Sequence, residues 1–543
     1  MDDIAVVDQP NDVAAAKSKA NYDAVQLANI TGYEQQMVRR WSLQKVIGMG
    51  LGLASTWAFA GAGLTLVIAE GGPAAALYGF ILVSIFTFCV AASIAELISA
   101  FPTTGGPFYW TARLASPKYA SFLSMLTGGA NCMSWICACA SVASTNAQQI
   151  FGFVVIMQPE FHIQRWMLYI LYLFFMIAGM LFTMFLYPLV PIVNKYLIYW
   201  SQTAMMISII MMLARSGGNF ASSHFVWAEY INNTGWNDVL CFITGLINGG
   251  FQYGHLDASV HLAEEASRPE RNIPIAIGAQ MAVSFPQGLL FQIVMFYCIK
   301  DLPTIMSSTI PNAELYLQAM NYSKAGAVVL QLLTVSILIC VNLEVQTTAA
   351  RLVWSFARDK ALPFSNWLGV VHPKLLVPVN AQIVVNCIVF ILGFLYLFAA
   401  EAYSALVGSS FILAYLAYLI PITSLVLTGR KFKPGPFHMK GYGFIVNILS
   451  MGWLLVGIVF WQFPFFMPVV GNLGNMNWTV VVVGGIMLLA ALWFAFKGHK
   501  HFQVSVGLRD IDPVLDEEPR ENPVAETLPD LPEQSTKKTK PTA

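Results

Sequence analysis

Apolar residues gather along this chain into runs too long for the core of a soluble domain. Twelve such runs fall at about 46–70, 74–100, 119–156, 165–187, 189–214, 237–262, 273–299, 325–350, 379–400, 403–428, 442–467 and 477–497. A helix needs roughly 20 residues to cross the hydrocarbon of a bilayer. Inside lipid a backbone must satisfy its own N–H and C=O groups, so runs of this kind predict helices rather than open strands. The pattern predicts an all-α integral membrane fold of 12 transmembrane helices. The third run exceeds the length of a span, which predicts a tilted or extended end.

Two runs are irregular. The first reads GMGLGLASTWAFAGAG over residues 48–63, where glycines flank a polar centre at Ser55 and Thr56. The sixth reads GLINGGFQYGHLDASVHLAEE over residues 245–265, with Gly249, Gly250 and Gly254 ahead of His255, Asp257 and His261. Small residues also serve close helix packing, which is the other reading of the first run. That reading suits the sixth less well, because Asp257 in a spanning segment is costly unless solvated or paired. Interrupted helices at matching positions in two halves of a chain point to a transport site. These two lie five helices apart, which suggests an inverted five-plus-five repeat with two helices added after it.

Composition narrows the class. Of 543 residues, 57% are hydrophobic and 11% charged, against roughly a quarter charged in soluble domains. The net charge of +0 offers no basic field for nucleic acid. The eight cysteines lie in or beside apolar stretches, and no histidine stands near Cys137 and Cys139, so no metal site or cofactor is predicted. Residues 1–40 are polar and lack a signal-peptide core, which reads as an N-terminal tail. Residues 499–543 are rich in Pro, Glu, Thr and Lys and read as a disordered C-terminal tail. The membrane domain is placed at 41–498.

Charge gives the helices a direction. Basic residues from Arg39 and Arg40 to Lys497 and Lys500 fall mostly on one side, and the other side holds Arg165, Arg215, Lys300 and Lys324. By the positive-inside rule both termini are cytosolic. Three sequons, at Asn232, Asn321 and Asn477, fall on the outer side and are candidate glycosylation sites.

Three stretches carry a family resemblance: AELISAFPTTGGPFYWTARLASP (95–117), HLAEEASRPERNIPIAI (261–277) and TTAARLVWSFARDKALPFSNWLGVVHPKLLVPVNA (347–381). In order and position they resemble the amino acid–polyamine–organocation permeases. The pattern of Trp57, His261 and WSFARD is most similar to the fungal branch, which includes γ-aminobutyrate and choline permeases. The resemblance implies a LeuT-type fold, alternating access and proton-coupled uptake at the plasma membrane. A vacuolar or other organellar membrane, export of a specialised amine or alkaloid, and a non-transporting nutrient sensor are the alternatives. No nucleophile–base set or phosphate loop lies at membrane depth, so an enzyme is not predicted.

On that scaffold, substrate contacts are expected from Ser55, Thr56, Trp57, Phe251, Tyr253 and Asp257. Free N–H groups at the first break suit a carboxylate, and aromatic faces suit an ammonium. Asp257 and His261 are candidates for proton coupling, and would share a face if helix resumes after the sixth break. Asn131 and Trp135, with Ser134, are candidate cavity-lining residues. Glu96, Glu264, Glu265, Arg268, Arg271 and Arg351 are expected in a cytosolic gate or network. Some relatives carry a lysine inside the fifth helix; here Ser201 lies near that position, so the coupling ion stays open. The expected partners are an amine or amino-acid substrate, a proton and the lipid bilayer.

Overall fold

A computed structural model describes residues 30–61, 63–398 and 400–504. The expected disorder of the tails falls mostly on residues 1–29 and 505–543, outside the described residues.

Ten of the twelve apolar runs form helices long and apolar enough to cross a membrane. The first run does not form one helix. It divides into α1 (Leu43–Leu53), α2 (Thr56–Ala60) and α3 (Leu64–Ala69). Then come α4 (Gly72–Ala100), α5 (Ala120–Met157), α6 (Arg165–Phe185) and α7 (Val190–Ser216). The sixth run yields α8 (Asp238–Tyr253), which stops at Gly254. After it come α9 (Pro269–Tyr297), α10 (Lys324–Arg358), α11 (Val379–Phe398), α12 (Ala400–Leu427), α13 (Gly443–Phe460) and α14 (Thr479–Trp493). A short antiparallel pair, β1 (Glu70–Gly71) with β2 (Ile231–Asn232), ties the loop before α4 to the loop before α8.

Many large apolar side chains face outward, among them Ile170, Phe174 and Leu181 on α6 and Leu488 and Leu489 on α14. A water-soluble surface rarely carries such a band; on a spanning helix it meets lipid. The interior is built on α5 and α10, where Asn131, Asn146, Gln331 and Glu344 are nonetheless buried.

The two breaks have identifiable causes. At the first, Ala54 and Ser55 leave helical geometry. Ser284 of α9 then fastens the gap from both sides: its hydroxyl donates to the Ala54 carbonyl at 2.7 Å, and its own carbonyl accepts from Thr56 Oγ1 at 2.8 Å. At the second, Gly254 takes φ +62°, a left-handed conformation that favours glycine. A Cβ there would stand 2.7 Å from the Leu53 carbonyl oxygen, so the two interrupted helices meet where both break.

Helix does not resume at once after Gly254. Turns and a short 3-10 segment at Val260–Leu262 carry the chain to α9. Asp257 and His261 still meet, held by the turn rather than by a helical face.

Candidate functional site

A cavity of about 250 Å³ lies beside the two breaks. Its floor includes Leu53, Gly254 and His255. Its walls take Phe59 and Ala60 from α2, Ser141 and Thr145 from α5, Asn248, Phe251 and Gln252 from α8, Val341 and Val345 from α10, and Ser410 and Phe411 from α12. None of the lining residues is charged.

Two half-helices end at this floor, α1 at Leu53 and α8 at Tyr253. The C-terminal end of a helix carries partial negative charge, so the convergence favours a cation. Phe251 and Phe411 pack at 4.2 Å between ring centroids, and His255 lies 5.2 Å from Phe411. The His255 ring is held by Ser134 Oγ at 2.8 Å and Ser410 Oγ at 3.2 Å. The amide donors of the wall are engaged: Asn248 Nδ2 donates to Glu70 Oε2 at 2.8 Å, and Gln252 Nε2 to the Asn248 carbonyl at 3.3 Å.

Of the expected substrate contacts, Phe251 lines the cavity and the others form a layer around it. Trp57 turns its indole N–H to Ser201 Oγ at 3.1 Å and meets Phe291 edge-on. Ser55 reaches the same Ser201 hydroxyl at 3.3 Å, which sets the fifth-helix position directly against the first break. Thr56 is spent on Ser284. Tyr253 shares a 2.6 Å hydrogen bond with Ser84 and stacks on Phe80.

Asp257 also stands outside the lining. Tyr418 donates to its Oδ1 at 2.6 Å; His261 Nε2 at 2.9 Å and Asn131 Nδ2 at 3.0 Å reach Oδ2, with the Trp135 indole at 3.5 Å. The other ring nitrogen of His261 faces the Thr104 carbonyl at 2.8 Å. Asn131 and Trp135, expected to line the cavity, instead point at this carboxylate. The α5 side chains that do reach the cavity lie one to three turns further along, at Ala138, Ser141, Val142 and Thr145.

The face carrying the N-terminal segment is closed. Arg351 Nε donates to Glu265 Oε1 at 2.7 Å, and Arg358 Nη1 to Glu264 Oε1 at 2.8 Å. Tyr187 Oη bonds Glu265 and accepts from the Trp41 indole. The chain around Arg40 and Trp41 bonds the Glu265 carbonyl through both backbone amides. Tyr33 Oη donates to Asp359 at 2.6 Å, and the Arg358 guanidinium lies 4.0 Å over the Tyr33 ring. Burial pushes the Asp359 carboxyl up to about 7, against the pull of Arg358 and the Tyr33 hydroxyl. The three family-like stretches meet here: Thr104 holds His261, and Arg351 and Arg358 hold the two glutamates.

Three expected network members stand apart. Arg268 and Arg271 are exposed and form no ion pair among the described residues. Glu96 belongs to a second cluster, with Arg430 Nη2 at 2.7 Å and His438 Nδ1 at 2.7 Å. Of the sequons, Asn321 is exposed and Asn232 half-buried on the opposite face. Asn477 is corrected: its side chain is buried and its amide donates to the Trp461 and Phe463 carbonyls, which leaves no room for a glycan.

The sequence profile described as amino acid permease matches residues 42–487. The chain belongs to the amino acid permease family. A choline transporter of Saccharomyces cerevisiae is 34% identical over 472 residues, 86% of this chain and 83% of its own length. A swainsonine transporter of Arthroderma benhamiae is 28% identical, across 86% of this chain and 93% of its own. The amino-acid permease BAT1 of Arabidopsis thaliana is 26% identical, across 87% and 94%. This permease is thus a multi-pass membrane transporter of a small molecule, not an enzyme.

Sequence reasoning missed His255, Phe59 and Phe411 as lining residues. It also missed Glu344, a carboxylate in the middle of the eighth apolar run. The rule that singled out Asp257, an ionisable residue inside a span, applies to Glu344 equally.

Proposed function

We propose that this permease takes up a small organic cation with a substituted ammonium group, choline being the representative, by alternating access driven by protons. The carrying observation is the cavity floor, where two helix C-termini converge beneath phenylalanine rings with no lysine or arginine in the lining. An ammonium gains from the partial negative charge there, and a desolvated cation over an aromatic face gains about 2 kcal/mol. A carboxylate finds less, since Ser55 and Thr56 spend their backbone N–H groups on the Gly52 and Ala54 carbonyls. The relative named as a choline transporter supports the same class. The relative named as a swainsonine transporter favours a second reading, a specialised amine moved outward or into an organelle.

The basic side of the chain is taken as cytosolic. The closed face is then the cytosolic gate, the cavity belongs to an outward-facing state, and the plasma membrane is the natural site of uptake. Asn232 and Asn321 remain candidate glycan acceptors on the outer face.

The test is uptake of labelled choline into cells lacking their own choline carrier. Tetramethylammonium should compete, γ-aminobutyrate should not, and uptake should rise as the outside is acidified. Uptake of γ-aminobutyrate without choline, in cells where the protein reaches the membrane, overturns the substrate reading.

A further inference from the structure

Glu344 stands in the middle of α10, fully buried, and neither carboxyl oxygen has a hydrogen-bond partner. It presses against the backbone of α1: a Cβ added to Gly52 would lie 2.0 Å from Glu344 Oε1. Gly52 sits in the last turn before the first break. Three further buried polar atoms without partners lie on helices that flank α1: Asn194 Oδ1 on α7, Gln280 Nε2 on α9 and Thr347 Oγ1 on α10. Asn194 and Gln280 meet α1 through glycine too, at Gly48 and Gly50. The inner half of helix one therefore packs through a glycine face, against the Asn194 backbone carbonyl, the Gln280 side-chain amide and the unpartnered Glu344 carboxyl.

A buried carboxylate with no donor cannot hold its charge, so the group is the neutral acid while α1 is docked. We propose that Glu344 is the proton-carrying site of this permease. It loads in the state seen here and releases its proton when the glycine-faced α1 swings away and admits water from the tail side. Atoms balance simply: one proton leaves the carboxyl for water on the tail side, and the carboxylate takes its next proton from the cavity side, where Val341 and Val345 of the same helix line the cavity. Of the titratable groups nearby, Cys340, one turn earlier on α10, is the one on which the charge of Glu344 would act. On α1 the titratable side chain is Lys45, two turns before Gly52, and it donates to the Arg40 carbonyl at 3.0 Å. On the tail side Arg351 is held by Glu265 and Arg358 by Glu264, and His261 by Asp257.

The proposal rests on the proton-driven part of the uptake reading, and two measurements separate their failures. The first is infrared spectroscopy of the purified full-length protein at neutral pH. Glu344→Gln should remove one protonated-carboxyl C=O stretch that Glu70→Gln leaves in place. An unchanged spectrum means that Glu344 is ionised and overturns the proposal, whatever the permease carries. The second uses proteoliposomes and labelled choline. With one proton carried per cycle, a gradient of one pH unit drives about a tenfold accumulation. Glu344→Gln should abolish accumulation while choline–choline exchange continues, and Glu344→Asp should restore part of it. Full accumulation by Glu344→Gln, or accumulation that follows a sodium gradient instead, also overturns it. A wild-type protein that exchanges no choline defeats the substrate reading alone, and the infrared result still decides the role of Glu344.

Discussion

Two carboxylates are buried at the heart of this permease, and their surroundings are opposites. Asp257, beyond the sixth-helix break, is fully buried and receives hydrogen bonds from Tyr418, His261 and Asn131, with the Trp135 indole close by. Glu344, on the eighth helix, is equally buried and receives none. Asp257 joins three segments distant in sequence: α5, the turn after α8, and α12. Moving a proton onto it would dismantle that joint. Glu344 fastens nothing, and its proton can come and go at the cost of moving one glycine-faced helix. In a low-dielectric interior the count of partners, more than burial or charge, separates a fastening from a switch.

The largest effect should therefore come from Asp257→Ala. It strands Tyr418, His261 and Asn131 without their acceptor, and breaking a buried ionic group of this kind costs about 3–5 kcal/mol. Detergent-solubilised protein should lose its monodisperse elution and melt well below wild type. Glu344→Leu should go the other way, neutral or stabilising by about 1–4 kcal/mol, because an unpaired buried acid gives way to apolar contact. If both variants melt alike, the contrast between the two carboxylates has no energetic content.

Next in size is a clash and its relief. Gly52→Ala drives a methyl group into the Glu344 carboxyl, and overpacking of this kind costs about 1–3 kcal/mol. Transport should fall with it, since α1 can no longer dock. Shortening the partner in Gly52→Ala/Glu344→Ala should return much of the lost stability, a non-additivity that a double-mutant cycle reads directly. Additive losses would place the glycine's role elsewhere.

The cavity offers a smaller and more specific effect. Phe251→Leu and Phe411→Leu keep apolar volume but remove the aromatic face. Losing about 1–2 kcal/mol of cation–π attraction should raise the KM for choline by about 5–30-fold, with protein levels and melting close to wild type. A KM that moves equally for neutral and cationic competitors would mean that the rings only shape the cavity.

The sequence made the helices legible because lipid leaves a backbone little choice, and run length is nearly a direct reading of a span. It also pointed to both breaks, more firmly at Gly254, where Asp257 weighs against simple helix packing, than at Ser55. That Glu264, Glu265 and Arg351 could join in a gate was readable from charge placement on one side of the membrane, but the partners, Arg351 for Glu265 and Arg358 for Glu264, were not. What was not readable is direction. Trp57, Tyr253 and Asp257 lie within a few residues of the breaks, yet they turn to Ser201, Ser84 and Tyr418 rather than to the cavity. Whether a side chain near a break faces the cavity or the packing behind it depends on backbone angles that residue types do not fix. Glu344 escaped notice for a different reason: it follows the strongly apolar stretch VSILICVNL, and one acid after so apolar a stretch is easily averaged away.

The smallest effect lies at the tail face, in a third buried carboxylate with intermediate surroundings. Asp359 accepts one hydrogen bond from Tyr33 and sits beside Arg358, yet burial outweighs both and lifts it from 3.8 to about 7. Between those values the folded protein holds a proton that the unfolded chain has released. Stability must then fall as pH rises through that window and level off above it. Asp359→Asn removes the titration, so its melting temperature should change less between pH 4 and 7 than the wild type's. The difference should favour the variant on the alkaline side by about 1 kcal/mol, well short of the ~4 kcal/mol that about three pH units at ~1.4 kcal/mol each would allow. Tyr33→Phe leaves the carboxyl buried with one donor fewer and should steepen the wild-type slope. Parallel pH profiles for all three proteins would mean that the carboxyl stays ionised, and would move Asp359 into the fully partnered class of Asp257.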